Sequence, residues 1–378
     1  MRANVYTDKA LERYAGRFVW LSINTESPSS AAFLKRYPIP ALPTLLILDA
    51  KRDNVALRYV GGANVTQVKT MLGDAEKTYR SRAGAEADKF LAEGDRFAAE
   101  GKQDQAVHAF EEAIRTAPAH WERLGRTSES LLFSLSMGDD QERCATRALE
   151  LYPRVKGTVS AANVAATGVS CAAALDKANP KRAGMVETLE KATREVFDDP
   201  KIELSGDDRS GLYMALMEAR DAAGDDEAVA ALTAQWSAFL DATAAKAQTP
   251  EQRAVYDSHR LSAYMELGTP EKAIPMLEQS ARDFPDDYNP QARLAVAYKA
   301  MKEYDKALAA SDLALQHVYG PRKLVVLTNR ADILAAKGDL AGARATMAEA
   351  IAFAKALPEG QRSDRRIASL EKKLAGMK

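Results

Sequence analysis

The sequence predicts two parts: an α/β region within residues 1–80 and an all-α region from about residue 86 onward. The first part contains short apolar runs bounded by glycine and proline, which is typical of strands and turns. The second part contains amphipathic stretches of helical length. Near its C-terminal end, Ala273, Ala307 and Ala343 stand 34 and 36 residues apart. A period of this length indicates an array of repeated helix pairs.

The first part predicts alternating strands and helices. The predicted elements are a strand Phe18–Asn24, a helix Ser30–Tyr37, a strand Leu45–Asp49, a strand Ala56–Val60 and a helix from about Asn64. The first two strands are apolar without clean alternation, as expected of strands that are buried on both faces of a parallel sheet. Gly61 and Gly62 indicate a turn that ends the third strand.

The three residues before the second of these strands carry a family resemblance. With Leu42-Pro43-Thr44 in this position, residues 1–80 resemble a thioredoxin-like domain. The resemblance implies a cis proline at Pro43 and a loop in which Leu42 and Thr44 share a surface for an extended client peptide. That family also carries an upstream strand followed by Cys-x-x-Cys, and this sequence has neither. The resemblance therefore implies a partial, redox-silent α/β domain, in which Pro43 is more simply a turn residue.

The missing strand has a physical consequence. In the family's fold it lies between the strands that Phe18–Asn24 and Leu45–Asp49 match, so its loss leaves buried amides unpaired at about 1–3 kcal/mol each. Either the two strands pair directly, or the natural protein begins further upstream. We favour the second hypothesis, in which Met1 is an internal methionine and Met1–Tyr6 continues the helix that carries the cysteines.

The second part has the spacing of a helical repeat. Gly94 and Ala106 are small residues at points where two paired helices touch, Phe97 and Phe110 fill the space beside them, and Pro118 ends the second helix. These offsets resemble the tetratricopeptide repeat. The resemblance implies an α-helical solenoid over residues 86–360, strong at both ends and weak between about 120 and 250, with a capping helix in residues 361–378.

Composition excludes several classes of function. The formal net charge is −1, whereas a nucleic-acid-binding protein needs a concentrated basic field. Val159–Leu175, the most apolar stretch, is broken by polar residues and falls short of the roughly 20 residues that a membrane span needs. No signal peptide precedes the first strand. This favours a soluble, cytoplasmic protein, or a periplasmic or secreted one if an upstream signal segment is missing.

The side chains that could carry chemistry are few. Cys144 and Cys171 stand 27 residues apart and do not form a redox motif. Two buried, unreactive thiols are the favoured interpretation, and a disulfide in an oxidising compartment is the alternative. The four histidines are scattered without the spacing of metal ligands, so we expect no metal site and no cofactor.

The repeat resemblance also implies a partner surface. The inner, concave face of such an array usually holds a protein or peptide, and the repeat offsets place Arg293, Lys299 and Asn329 as candidate peptide contacts, although solvated surface is the simpler interpretation of each. The leading prediction is a non-catalytic interaction scaffold. The alternative is a thiol–disulfide oxidoreductase whose Cys-x-x-Cys lies upstream of a misassigned start, with the repeats recruiting clients.

Overall fold

The computed structural model describes residues 5–80 and 85–377 of the chain. Contacts within the chain divide these residues into two compact units. The first holds residues 5–19 and 38–236, and the second holds residues 20–37 and 237–377. Each unit has hydrophobic cores of its own.

The first unit begins with a small β-layer. Strands β1 (Thr44–Asp49) and β2 (Asn54–Val60) form an antiparallel pair, and helix α2 (Val65–Arg80) follows. Leu57 and Val68 meet in the core between the sheet and this helix. The predicted strands at 45–49 and 56–60 and the helix from about 64 are therefore present, and the Leu42–Pro43 bond is cis as predicted.

The predicted strand Phe18–Asn24 is wrong. Phe18 makes an isolated bridge to Ala15, and residues 19–24 belong to no strand. Among the described residues, β1 pairs with β2 alone, so this run has no ladder to join. Val19 and Leu21 are consequently 88% and 76% exposed. The expected helix over Met1–Tyr6 lies outside the described residues at positions 1–4.

The rest of the first unit is helical, and its last helix runs on into the second unit. The helices are α3 (Glu86–Ala99), α4 (Gln103–Thr116), α5 (Leu124–Ser136), α6 (Gln141–Val155), α7 (Ser160–Ala173), α8 (Arg182–Asp198), α9 (Gly206–Ala223) and α10 (Asp226–Ala245). A Cβ atom added at Gly94 would overlap the buried ring of Phe110. The steric reason predicted for this glycine is therefore present between α3 and α4.

The second unit combines a segment that precedes the hairpin with the C-terminal helices. Helix α1 (Ala31–Arg36) lies in that early segment, where the sequence predicts a helix over Ser30–Tyr37. The later helices are α11 (Pro250–Ala254), α12 (Asp257–Glu266), α13 (Ala273–Asp283), α14 (Tyr288–Ala300), α15 (Tyr304–His317), α16 (Lys323–Lys337), α17 (Leu340–Ala356) and α18 (Asp364–Gly376). Ala273, Ala307 and Ala343 are fully buried, as the repeat spacing predicts.

The C-terminal capping helix forms where the sequence predicts it. The Ser363 hydroxyl accepts a hydrogen bond from the backbone N–H of Arg366, which caps the N-terminus of α18. Ile367 and Leu370 bury its apolar face against α17. Within the part of the chain that the structure describes, the helices lack the length and apolar character needed to traverse a membrane.

Candidate functional site

The candidate peptide contacts of the second unit lie on the first helices of its pairs. Arg293 and Lys299 are on α14, and Asn329 is on α16. All three are half-buried. Their side chains make no hydrogen bond or ion pair to any described residue, so their N–H donors remain available to a partner.

Arg293 also faces a buried acid. Asp257, at the start of α12, is 1% exposed and accepts a hydrogen bond from the Ser280 hydroxyl at 2.6 Å. Burial raises the pKa of Asp257, and the charges of Arg293, Arg260 and Arg253 oppose that rise. Its Oδ1 atom is buried without a hydrogen-bond partner among the described residues. Arg253 and Arg260 are paired with Asp283 and Asp241, so Arg293 is the arginine of this group without an ion pair among the described residues.

The other end of this surface is neutralised within the chain. Asp332 lies one turn after Asn329 on α16, and Lys373 of the capping helix approaches its carboxylate at 2.7 Å. The side chains of these two residues are 28% and 39% exposed. A partner that contacts Asn329 would therefore meet an ion pair beside it and not a free carboxylate.

Residues 42–44 form a separate candidate surface in the first unit. Leu42 is 55% exposed. The Thr44 hydroxyl donates to the backbone carbonyl of Ala41 at 2.7 Å, and the N–H of Gly61 donates to the carbonyl of Pro43 at 2.9 Å. The Pro43 carbonyl is thus used by the hairpin, while the side chains of Leu42 and Pro43 remain exposed.

The structure joins the two cysteines. Cys144 on α6 and Cys171 on α7 form a disulfide with Cα atoms 5.9 Å apart. Both residues are buried, at 0% and 1% exposure. This is the alternative to the separate thiols that the sequence favours. The sequence predicts that both cysteines lie on buried helix faces. Whether their sulfur atoms meet depends on how α6 packs against α7.

Sequence reasoning missed a buried polar cluster in the first unit. Glu129 on α5 accepts hydrogen bonds from the Tyr59 hydroxyl and from the side-chain amide of Asn163, both at 2.9 Å. Burial raises the pKa of Glu129 and also that of Tyr59. No local pattern marks Glu129, because its partners Tyr59 and Asn163 are 70 and 34 residues away in the sequence.

A second buried pair lies beside this cluster. Arg126 on α5 donates to Asp95 on α3 at 2.8 Å, and both side chains are almost inaccessible. Arg58 on β2 is also buried, with its Nε and one terminal nitrogen unpartnered among the described residues. The ion pair joins α5 to α3, and Arg126 also donates to the backbone carbonyl of Arg58 at 3.4 Å, which ties β2 to α5. Within the described ranges, no group of histidine, cysteine and acidic side chains is arranged to hold a metal ion.

A comparison with known protein families matches one stretch of the helical region. A tetratricopeptide repeat family model matches residues 264–322, which run from the end of α12 to the loop before α16. Residues 264–322 contain tetratricopeptide repeats. The matched segment includes Arg293 and Lys299, and it ends before Asn329. No curated protein matches the chain.

Several solved structures are similar to this chain. A tetratricopeptide repeat protein from Parabacteroides merdae is 10% identical, with a TM-score of 0.49 over 78% of this chain and 100% of that one. The yeast Sti1 TPR2AB domain, in complex with pHSP90, is 15% identical, with a TM-score of 0.29 over 78% and 100%. The Cut9–Hcn1 structure is 13% identical, with a TM-score of 0.37 over 82% and 54%.

Proposed function

We propose that this chain is a non-catalytic interaction scaffold in which the tetratricopeptide helices hold an extended segment of a partner protein. The observation that carries this proposal is that the matched repeats contain two half-buried donors, Arg293 and Lys299, whose side chains make no hydrogen bond or ion pair to the described residues. Arg and Lys donate to carboxylates and to main-chain carbonyls. The surface therefore suits an extended peptide that carries acidic side chains.

We propose that the first unit contributes a redox-silent remnant of a thioredoxin-like domain. The cis Leu42–Pro43 bond before β1, the β1–β2 hairpin and the helix α2 support this proposal. The sequence has no cysteine before Cys144, and thiol–disulfide exchange requires a thiolate. An exposed Leu42 would then serve as a contact for a protein partner.

A capture experiment tests the scaffold role. The immobilised full chain is compared with the double variant Arg293→Glu, Lys299→Glu and with the control Lys372→Glu, whose exposed side chain lies on α18. We expect quantitative mass spectrometry to find a protein that the wild type and the control retain and that the double variant loses. If every captured protein binds all three chains equally, the inner face is not the binding surface.

An insulin-reduction assay tests whether this chain itself carries thiol–disulfide activity, and the same assay on a chain extended upstream tests the oxidoreductase alternative. We expect this chain to show no turnover with a dithiol reductant above the uncatalysed rate, because Cys144 and Cys171 are both buried and stand 27 residues apart instead of forming a Cys-x-x-Cys motif. Turnover that is lost in a variant with both cysteines changed to alanine would contradict the non-catalytic assignment.

A further inference from the structure

The early segment of the second unit is held as a docked peptide would be. Residues 24–30 form a turn and a short 3₁₀ helix, and α1 follows. The segment lies against loops that are more than 250 residues away in the sequence. These loops lead into α14, α16 and α18, and we call the surface that they form the loop edge. Arg293, Lys299 and Asn329 lie within the helices and do not belong to it.

The carboxylate of Glu26 is recognised by side chains from two of these loops. Arg322 places its Nε atom 3.3 Å from Glu26 Oε1, and the Tyr288 hydroxyl donates to the same oxygen at 3.3 Å. Tyr288 and Arg322 stand 34 residues apart, which is one repeat period. Burial and the facing Glu26 carboxylate raise the pKa of Tyr288 to about 12. Equivalent positions of successive repeats therefore share one acidic group.

The main chain of the segment is recognised as well. Gln361, in the loop before α18, donates from its amide nitrogen to the carbonyls of Thr25 and Ser27, both at 2.9 Å. The side-chain amide of Asn24 donates to the Tyr319 hydroxyl at 2.6 Å. Hydrogen bonds to main-chain carbonyls hold a peptide independently of most of its side chains.

Two glycines allow the segment to approach this closely. A Cβ atom added at Gly320 would overlap the carbonyl of Glu26, and one added at Gly360 would overlap the backbone of Ala31 and Lys35. A close backbone approach is one of the few reasons to require glycine. The loop edge therefore has both the hydrogen-bonding side chains and the shape that a peptide backbone needs.

We propose that the loop edge formed by Tyr288, Tyr319, Arg322 and Gln361 is a second, separate peptide-docking surface. Its resident occupant is the chain's own segment 24–35. A peptide of the same chemistry can take its place: a stretch that forms the same turn, with an amide side chain two residues before a glutamate and a proline two residues after it. This surface does not depend on the inner-face scaffold role, and each can fail without the other.

A competition experiment tests this proposal on the full-length chain. A fluorescent peptide of residues 20–37 is titrated against the wild type, against Glu26→Arg and against Arg322→Glu. In the wild type the resident segment competes, so the apparent affinity is reduced by the fraction of sites that it fills. We expect Glu26→Arg, whose own segment is repelled by Arg322, to bind the peptide at least about 10-fold more tightly than the wild type.

The matched control exchanges the charges of Glu26 in the peptide and Arg322 in the chain. The wild-type peptide should not bind Arg322→Glu, whereas a peptide carrying Glu26→Arg should bind that variant and not the Glu26→Arg chain. Equal affinity of the wild-type peptide for all three chains, or no binding to the Glu26→Arg chain up to about 1 mM, overturns the proposal. Circular dichroism verifies that each variant keeps its helices.

Amide hydrogen exchange gives a second, independent readout. We expect the amides of residues 27–37 to be protected in the wild type and to exchange faster in Gly360→Ala, because the added methyl group excludes the backbone of Ala31. Gly376→Ala is the control, since a Cβ atom there meets nothing within 4 Å. Unprotected amides in the wild type, or equal protection in both variants, contradict docking at this edge.

Discussion

Replacing Gly94 by alanine tests the helix pairing on which the solenoid depends. The added methyl group would overlap two ring carbons of Phe110 and lie 3.0 Å from a third. The ring is fully buried, so it can yield only by displacing its neighbours. Overpacking of this kind costs about 1–3 kcal/mol, and overlap with two carbons argues for the upper end. Alanine gains about 1 kcal/mol of helix propensity over glycine, so we expect a net loss of about 2 kcal/mol.

The same substitution at Gly211 provides the control. This glycine lies inside α9, and a Cβ atom there meets nothing within 4 Å. Gly211→Ala should therefore stabilise the protein by about 0.5–1 kcal/mol. Chemical denaturation followed by circular dichroism measures both variants, and amide exchange of α3 and α4 reports the local change. The steric reasoning is refuted if Gly94→Ala is as stable as Gly211→Ala.

A double-mutant cycle identifies the partner of the clash. Phe110→Leu removes two of the three ring carbons that the new methyl group would meet. The free energy of unfolding of the double variant should therefore be about 1 kcal/mol higher than the two single changes predict when they are added. Additive effects would place the strain of Gly94→Ala somewhere other than this ring.

Three further predictions follow from the buried groups and the inner face. Burial raises the pKa of Glu129 in the folded protein. Its protonated form therefore stabilises the protein at low pH, and this contribution is lost as the pH rises from about 4 through the pKa of the folded state. Over that pH range, denaturation series should show that Glu129→Gln gains stability relative to the wild type. Changing both Cys144 and Cys171 to alanine, or reducing the disulfide, should lower the free energy of unfolding by about 3–4 kcal/mol for residues 27 apart, and reductant should not affect the double variant; equal urea midpoints with and without the bond would contradict this. Lys299→Ala should change the free energy of unfolding by less than about 0.5 kcal/mol, because its side chain makes no hydrogen bond or ion pair to the described residues, while partner capture falls.

The sequence predicts those parts of the fold whose signals are local or periodic. The strand Leu45–Asp49 and the buried alanines Ala273, Ala307 and Ala343 follow from a short apolar pattern and a fixed spacing, and the cis bond at Pro43 is what the family resemblance implies. The docking of Glu26 and the burial of Glu129 do not follow from such signals. Both depend on residues that are distant in the chain, and neither leaves a period in the sequence.

The failure of the Phe18–Asn24 strand and the docking of the segment after it have one physical cause. An apolar run forms a stable strand only when a neighbouring strand satisfies its N–H and C=O groups, and among the described residues β1 is paired by β2 alone. The residues that follow find their partners elsewhere, since Gln361 donates to the carbonyls of Thr25 and Ser27. Each of these hydrogen bonds replaces one to water, so each stabilises the docked segment by only about 0.5–1.5 kcal/mol. That modest hold is the reason to expect that a competing peptide can displace the segment.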